Sequence, residues 1–384
     1  MKCVSGGQND RVFMSDKIFH GRNVIFVQPA LPSYRLDFFD RLYKFFGERL
    51  YVYYSPGNLG ALTKSVNKPW AYEVGAIRPL PARLAWQSSV TGIPLEKGDI
   101  LILSGNPRQL STLSLLLKAK LRGVHTVWWG HYWSSSSRRW RQVVRFLPMA
   151  LADAILFYTD AEVEQYKNDR MASKSNKHVT ALNNGVNDVP IRQYRRPYNA
   201  SERERAFLFI GRLTRKANVA LALRALARLG DKAPALHVVG DGEEAGELKA
   251  LSATLGLSSK VYWHGATTDE ELIGRVANRC RAFLYPGEVG LSLVHAMAYG
   301  LPAIVHNERR LHMPEIAAFK DGVTGRSFSY EDDVSLAAGL CDLIDRNDYL
   351  DELHEAVASV MVDSFTTKSM SERFKGLVNK MSDI

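Results

Sequence analysis

Cysteine is scarce in this chain. The 384 residues hold three, Cys3, Cys280 and Cys341, far apart and without a Cys-x-x-Cys. Neither a disulfide framework nor a cysteine zinc site is expected, and a reducing compartment suits the composition. Long apolar runs are also missing: the longest, Phe146 to Tyr158, carries Asp153 and is too short to cross a bilayer. The opening ten residues lack the apolar core of a secretory signal. There is no Asp-x-Asp pair, no short repeat and no extended low-complexity tract; Ser134–Ser137 is an isolated four-residue run. The expectation is a cytoplasmic protein, at the inner face of a membrane where its basic surface docks, and the sequence offers no motif for a metal or a cofactor.

What is present is enough apolar material for two cores. Hydrophobic residues make up 46% and charged residues 23%, which excludes global disorder. At roughly 100–200 residues per domain the length suggests two domains. The net charge of +10 is unevenly spread: residues 1–200 hold 28 basic and 14 acidic side chains, residues 201–384 hold 22 and 26. A basic half joined to a mildly acidic half implies surfaces with different partners.

Short β-branched or aromatic runs recur, each followed by a segment of helical period. In the first half they are 23–28, 50–54, 99–104, 125–130, 154–158 and 179–183; in the second, 206–210, 236–240, 261–264, 282–285 and 303–306. Helical patterns such as Leu110–Leu121, Val219–Leu229 and Leu291–Tyr299 lie between them. Alternation of this kind predicts parallel sheets covered on both faces. The pattern restarts after Pro190–Glu204, which is polar, lacks a sustained period and reads as a linker. The expected architecture is two tandem Rossmann-like, doubly wound α/β domains, 1–195 and 196–384, facing a cleft, with a helical tail from about Val334. Ligands of such sheets bind beyond the carboxyl ends of the strands.

Four segments of the second half stand at such strand ends. Phe209-Ile210-Gly211-Arg212-Leu213-Thr214-Arg215-Lys216 runs from a strand into a loop with three cations, suited to clamping a diphosphate or to surface solubility alone. Val238-Val239-Gly240-Asp241-Gly242 has half of a dinucleotide fingerprint without its spacing. Tyr285-Pro286-Gly287-Glu288-Val289-Gly290-Leu291-Ser292 leads from a strand into a helix whose free amides suit a phosphate. Glu288 beside such an anion site suits sugar hydroxyls, or is a solvated residue of an ordinary turn. Met313-Pro314-Glu315-Ile316 and Asp321-Gly322-Val323-Thr324-Gly325 follow.

In this order and spacing the segments resemble family 4 (group 1) retaining glycosyltransferases of the GT-B fold. The resemblance implies a first domain for the acceptor and a second for a nucleotide-diphosphate sugar. It implies that Arg212 and a nearby lysine hold the diphosphate, that Glu288 binds donor-sugar hydroxyls, and that the donor lies against Gly211, Gly240, Gly242, Val289, Gly290, Leu291 and Ser292. Two departures stand out. The family's lysine position holds Ala217, with Lys216 one residue earlier, and the family's second glutamate, which takes the ribose, is His295. The loop is also one residue shorter, so alignment on Gly290-Leu291 brings Gly287 to the first-glutamate position.

In the first half, Gln28 to Phe39, with Tyr34 and Arg35, resembles the acceptor-side loop of related polysaccharide enzymes. Trp128-Trp129-Gly130-His131 ends a strand, and the resemblance implies that His131 contacts the donor sugar; as residues alone it is equally a core or surface histidine. Arg138, Arg141 and Arg145 share one face of an amphipathic pattern whose other face is Trp140, Val143, Val144 and Leu147. That pattern suits anionic lipid or an ordinary buried-face helix. The expected activity is retaining transfer of a sugar to a glycan or lipid-linked acceptor in surface or exopolysaccharide synthesis. No nucleic-acid motif is present. The competing expectations are a sugar-nucleotide epimerase or hydrolase of the same fold, and a degenerate membrane-binding homologue.

Overall fold

A computed structural model describes residues 22–56, 65–132, 146–169 and 177–382. The chain divides into two compact units, residues 1–182 with 371–384, and residues 183–370.

The first unit is built on β1 (Val24–Gln28), β2 (Leu50–Tyr54) and β3 (Ala71–Glu73), a hairpin β4 (Ile77–Leu80) and β5 (Leu84–Gln87), then β6 (Ile100–Ser104), β7 (His125–Trp129), β8 (Ala154–Phe157) and β9 (His178–Ala181). Leaving out the hairpin, the strands form one parallel sheet in the order β3-β2-β1-β6-β7-β8-β9. Covered on both faces, β1 is buried at every position and reads as a continuous apolar run. Helices α1 (Leu36–Phe46), α2 (Leu110–Leu121) and α3 (Asp160–Asn168) connect the strands. Phe26 of β1 meets Phe39 of α1 edge-on at 5.1 Å and Phe374, from the end of the chain, at 5.0 Å. That contact explains why residues 371–384 belong with the first unit rather than with the helical tail expected to close the second.

The second unit holds α4 (Asp188–Tyr194), β10 (Ala206–Ile210), α5 (Val219–Leu229), β11 (Ala235–Val239), α6 (Ala245–Thr254), β12 (Val261–Gly265), α7 (Glu270–Ala277), β13 (Ala282–Tyr285), α8 (Leu291–Ala298), β14 (Ala303–His306), β15 (Gly325–Phe328), α9 (Asp333–Ile344) and α10 (Asn347–Ser364); α11 (Thr367–Ser382) follows. Its sheet is parallel in the order β12-β11-β10-β13-β14-β15. The order reverses between β10 and β13, as it does between β1 and β6 in the first unit.

The stretch 190–204 is not an open linker. Asn187 caps α4 by accepting the Val189 amide, and Arg203 is buried, donating to the carbonyls of Ala277 and Cys280 at 3.2 and 2.9 Å. Tyr198 donates to the Arg281 carbonyl and lies under the Arg203 guanidinium. Its polar residues satisfy buried carbonyls of the second unit, so polarity here does not signal solvent. Both sheets are the expected doubly wound α/β kind. Among the described residues no helix is long and apolar enough to cross a membrane.

Candidate functional site

In an open parallel sheet the strand order reverses where two connections leave in opposite directions, opening a crevice at the carboxyl ends of the two central strands. In the second unit those strands are β10 and β13. The loop after β10 carries Gly211, Arg212, Arg215 and Lys216, and the loop after β13 carries Gly287 and Glu288, so the reversal brings the expected donor residues together.

The two loops touch. Lys216 Nζ lies 2.7 Å from Glu288 Oε2, and the Glu288 amide donates to the Lys216 carbonyl at 2.9 Å. A Cβ on Gly287 would stand 2.0 Å from that carbonyl oxygen, so only glycine lets the backbones approach this closely. Among the described residues Arg212 and Arg215 have no ion-pair partner, and both are exposed. Tyr285, at the end of β13, is buried and stacked on Phe209 at 4.9 Å. Burial pushes its hydroxyl up to about 12, the Arg212 charge drawing it down and Glu288 raising it.

Gly240 and Gly242 stand where expected, but packing accounts for them. Added Cβ atoms would meet the carbonyl oxygens of Gly211 at 1.9 Å and Leu213 at 2.3 Å. They let the β11 loop support the Arg212 loop from behind, with the Gly211 amide donating to Val239 and the Leu213 amide to Asp241.

Leu291 begins α8; the Leu293 amide donates to the Gly290 carbonyl, while those of Leu291 and Ser292 have no acceptor within the helix. The Val289 amide is different from the expected free donor: it is engaged by Nδ1 of His312 at 3.1 Å, while its carbonyl accepts the Met313 amide. Leu291 and Ser292 remain at the helix start, next to Gly290 and partly accessible.

His295 projects from α8 toward the head of α7. Its Nε2 lies 3.1 Å from the Glu270 carboxylate, which also accepts the Tyr299 hydroxyl at 2.7 Å. Burial works to raise the Glu270 carboxyl, but its hydrogen bonds and electrostatic interaction with His295, and the hydrogen bond from Tyr299, hold it below the usual range. Where the family pattern has a glutamate on α8, this chain has a histidine paired with a glutamate from α7. Sequence reading missed Glu270, Tyr285 and His312. Glu270 looks like any first-turn acid, and the other two are marked only by their three-dimensional partners.

In the first unit the ends of β1, β7 and β8 gather an aromatic group. Arg35 lies over the Trp129 ring at 4.5 Å, with Tyr34 exposed beside it and Tyr158 at 5.8 Å. His131 stacks on Tyr158 at 4.3 Å, and its Nδ1 lies 3.1 Å from Oε1 of Glu162. Glu162 is buried: its other oxygen accepts the amides of Tyr158 and Thr159, closing a capping box on α3. A carboxylate fixed in this way orients the half-exposed imidazole, an arrangement suited to hydrogen bonding or proton transfer. Arg138, Arg141 and Arg145 lie outside the described residues.

Residues 190–359 match the family described as Glycosyl transferases group 1. Among curated proteins none matches the chain. Among solved structures, a glycosyltransferase from Rickettsia africae is similar with a TM-score of 0.68 at 14% identity, over 95% of this chain and 99% of that one. HepE from Anabaena, in complex with UDP, gives 0.66 at 14% identity, over 94% and 100%. The lipopolysaccharide outer core galactosyltransferase WaaB gives 0.62 at 16% identity, over 94% and 99%. These likenesses bear out the fold, two Rossmann-like units of the GT-B class.

Proposed function

We propose, from the match of residues 190–359 to the glycosyl transferases group 1, that this chain is a retaining glycosyltransferase that moves a sugar from a nucleotide-diphosphate donor to a glycan or lipid-linked acceptor. The observation that carries the reading is the Lys216–Glu288 contact at the β10/β13 reversal, beside the exposed Arg212 and the start of α8. It joins cations for a diphosphate to a carboxylate for hydroxyls at one strand end.

Donor cleavage breaks the bond between the anomeric carbon and the diphosphate oxygen, and both electrons leave with the diphosphate. Arg212, Lys216 and the first-turn amides of α8 stabilise that charge. The sugar passes through an oxocarbenium-like state, the acceptor oxygen bonds to its anomeric carbon on the departing face, and the leaving phosphate takes the acceptor proton. Glu288 holds sugar hydroxyls, and the Glu270–His295 pair stands for the ribose. The basic charge of residues 1–200 supports an acceptor carried on anionic lipid. A place in surface polysaccharide synthesis agrees with the similarity to a lipopolysaccharide enzyme.

Thermal shift and calorimetry against UDP, GDP, ADP, CMP and dTDP test this reading. One of them is expected to stabilise the protein saturably, and Arg212→Ala to remove at least tenfold of that affinity. No response to any of the five, or wild-type binding in Arg212→Ala, refutes the donor site.

A further inference from the structure

Two neighbouring histidines stand behind the β13 loop, both buried and stacked with ring centroids 3.8 Å apart. His312 Nε2 faces the His306 carbonyl at 3.0 Å; a carbonyl only accepts, so the proton is on Nε2 and Nδ1 presents a lone pair. That lone pair takes the Val289 amide. His306 is fixed in the same sense, because its Nδ1 accepts the Glu308 amide at 3.2 Å. Its Nε2 faces the Gly287 backbone without closing a hydrogen bond of good geometry.

The arrangement holds one short loop from two sides. Lys216 takes the Glu288 amide on the β10 side, and His312 with Met313 takes both backbone groups of Val289 on the β14 side. Gly290 follows directly, with Met313 Cγ 3.2 Å from where its Cβ would lie, and α8 starts at Leu291. A turn that leads from Glu288 to the helix start within three residues has little freedom once Val289 is fixed.

We propose that His312, braced by His306, is a positioning residue for donor binding: its Nδ1 locks the Val289 amide and so sets where Glu288 and the first amides of α8 stand. An amide donating to a fixed neutral imidazole does not compete for the diphosphate, which leaves that task to the helix start. Burial supports the neutral state, lowering the protonation of His306 to about 3 and drawing His312 down as well. The inference rests on the functional reading above for its consequence, and on the geometry alone for the lock.

The test compares wild type with His312→Asn, whose Oδ1 can replace Nδ1 as acceptor, and His312→Leu, which removes it. Amide hydrogen exchange of the peptide spanning 285–292 is expected to accelerate at least tenfold in His312→Leu and to stay within about threefold of wild type in His312→Asn. Exchange unchanged in the leucine variant overturns the lock; so does equal acceleration in both variants, which would make the residue a packing element only. The affinity for whichever of UDP, GDP, ADP, CMP or dTDP binds wild type is expected to fall at least tenfold in His312→Leu and recover in His312→Asn. Affinity unchanged while exchange accelerates overturns the positioning role. A wild type that binds none of the five refutes the function proposed above, and with it the consequence for donor binding, whereas the exchange result still decides the lock.

Discussion

Replacing Glu288 by glutamine separates the two tasks assigned to the β13 loop. The Glu288 carboxylate is paired with Lys216, whose side chain is 76% exposed. An ion pair so open to water contributes about 0.2–1 kcal/mol. A diphosphate drawn to Lys216 must displace that carboxylate, so Glu288→Gln should leave nucleoside-diphosphate affinity unchanged or raise it up to about fivefold. Transfer should move the other way: loss of a charged acceptor for sugar hydroxyls should lower kcat/KM at least tenfold, about 1.4 kcal/mol. Titration calorimetry with the diphosphate identified by the nucleotide panel, and initial rates with the matching nucleotide sugar, give the two numbers. A tenfold fall in diphosphate affinity would refute the reasoning, because it would mean that Glu288 holds Lys216 ready rather than competing with the ligand. Wild-type transfer would remove Glu288 from the sugar site altogether.

Two further outcomes follow from local geometry. Gly287→Ala places a Cβ 2.0 Å from the Lys216 carbonyl; a melting scan should show a loss of about 1–3 kcal/mol, and an unchanged midpoint would contradict the close approach of the two loops. His237 and His306 are buried and neutral, their protonation lowered mainly by burial to about 4 and about 3. The unfolded chain takes up these protons near 6.5, so stability falls as pH drops below that value and continues to fall toward the folded-state values. At pH 5 each histidine should cost about 2 kcal/mol. Denaturant midpoints from pH 7.5 to pH 5 check this, and His306→Gln or His237→Gln should flatten the slope.

Much of the fold was legible because a strand buried on both faces has no polar side to disguise it. Ala206–Ile210, Ala282–Tyr285 and Ala303–His306, buried throughout, coincide with the observed strands from end to end, as does the alternately buried Leu50–Tyr54. The missed strands lie at edges or outside the main sheets. β3 and β15 each have one strand neighbour, and the β4–β5 hairpin carries Pro79 and is mostly exposed, so its residues need not be apolar. At the candidate site, the loops of Arg212, Lys216 and Glu288 were legible as loops at the carboxyl ends of strands; that they meet comes from the strand order. His312 and Glu270 were not. What marks them is a lone pair aimed at the Val289 amide and a carboxylate shared by His295 and Tyr299, relations between residues distant in sequence.

The Phe26–Phe374 contact orders events on the ribosome. Phe374 is 348 positions after Phe26, so β1 can pack on Phe38, Phe39 and Trp129 long before its remaining aromatic neighbour is made. At about 5–20 residues per second that interval lasts some tens of seconds. Throughout it the face of β1 that meets Phe374 is uncovered and open to chaperones, while all the strands of the second unit are made. A ribosome that stalls before Phe374 would therefore leave the first unit with its whole sheet made but one aromatic wall of its core missing.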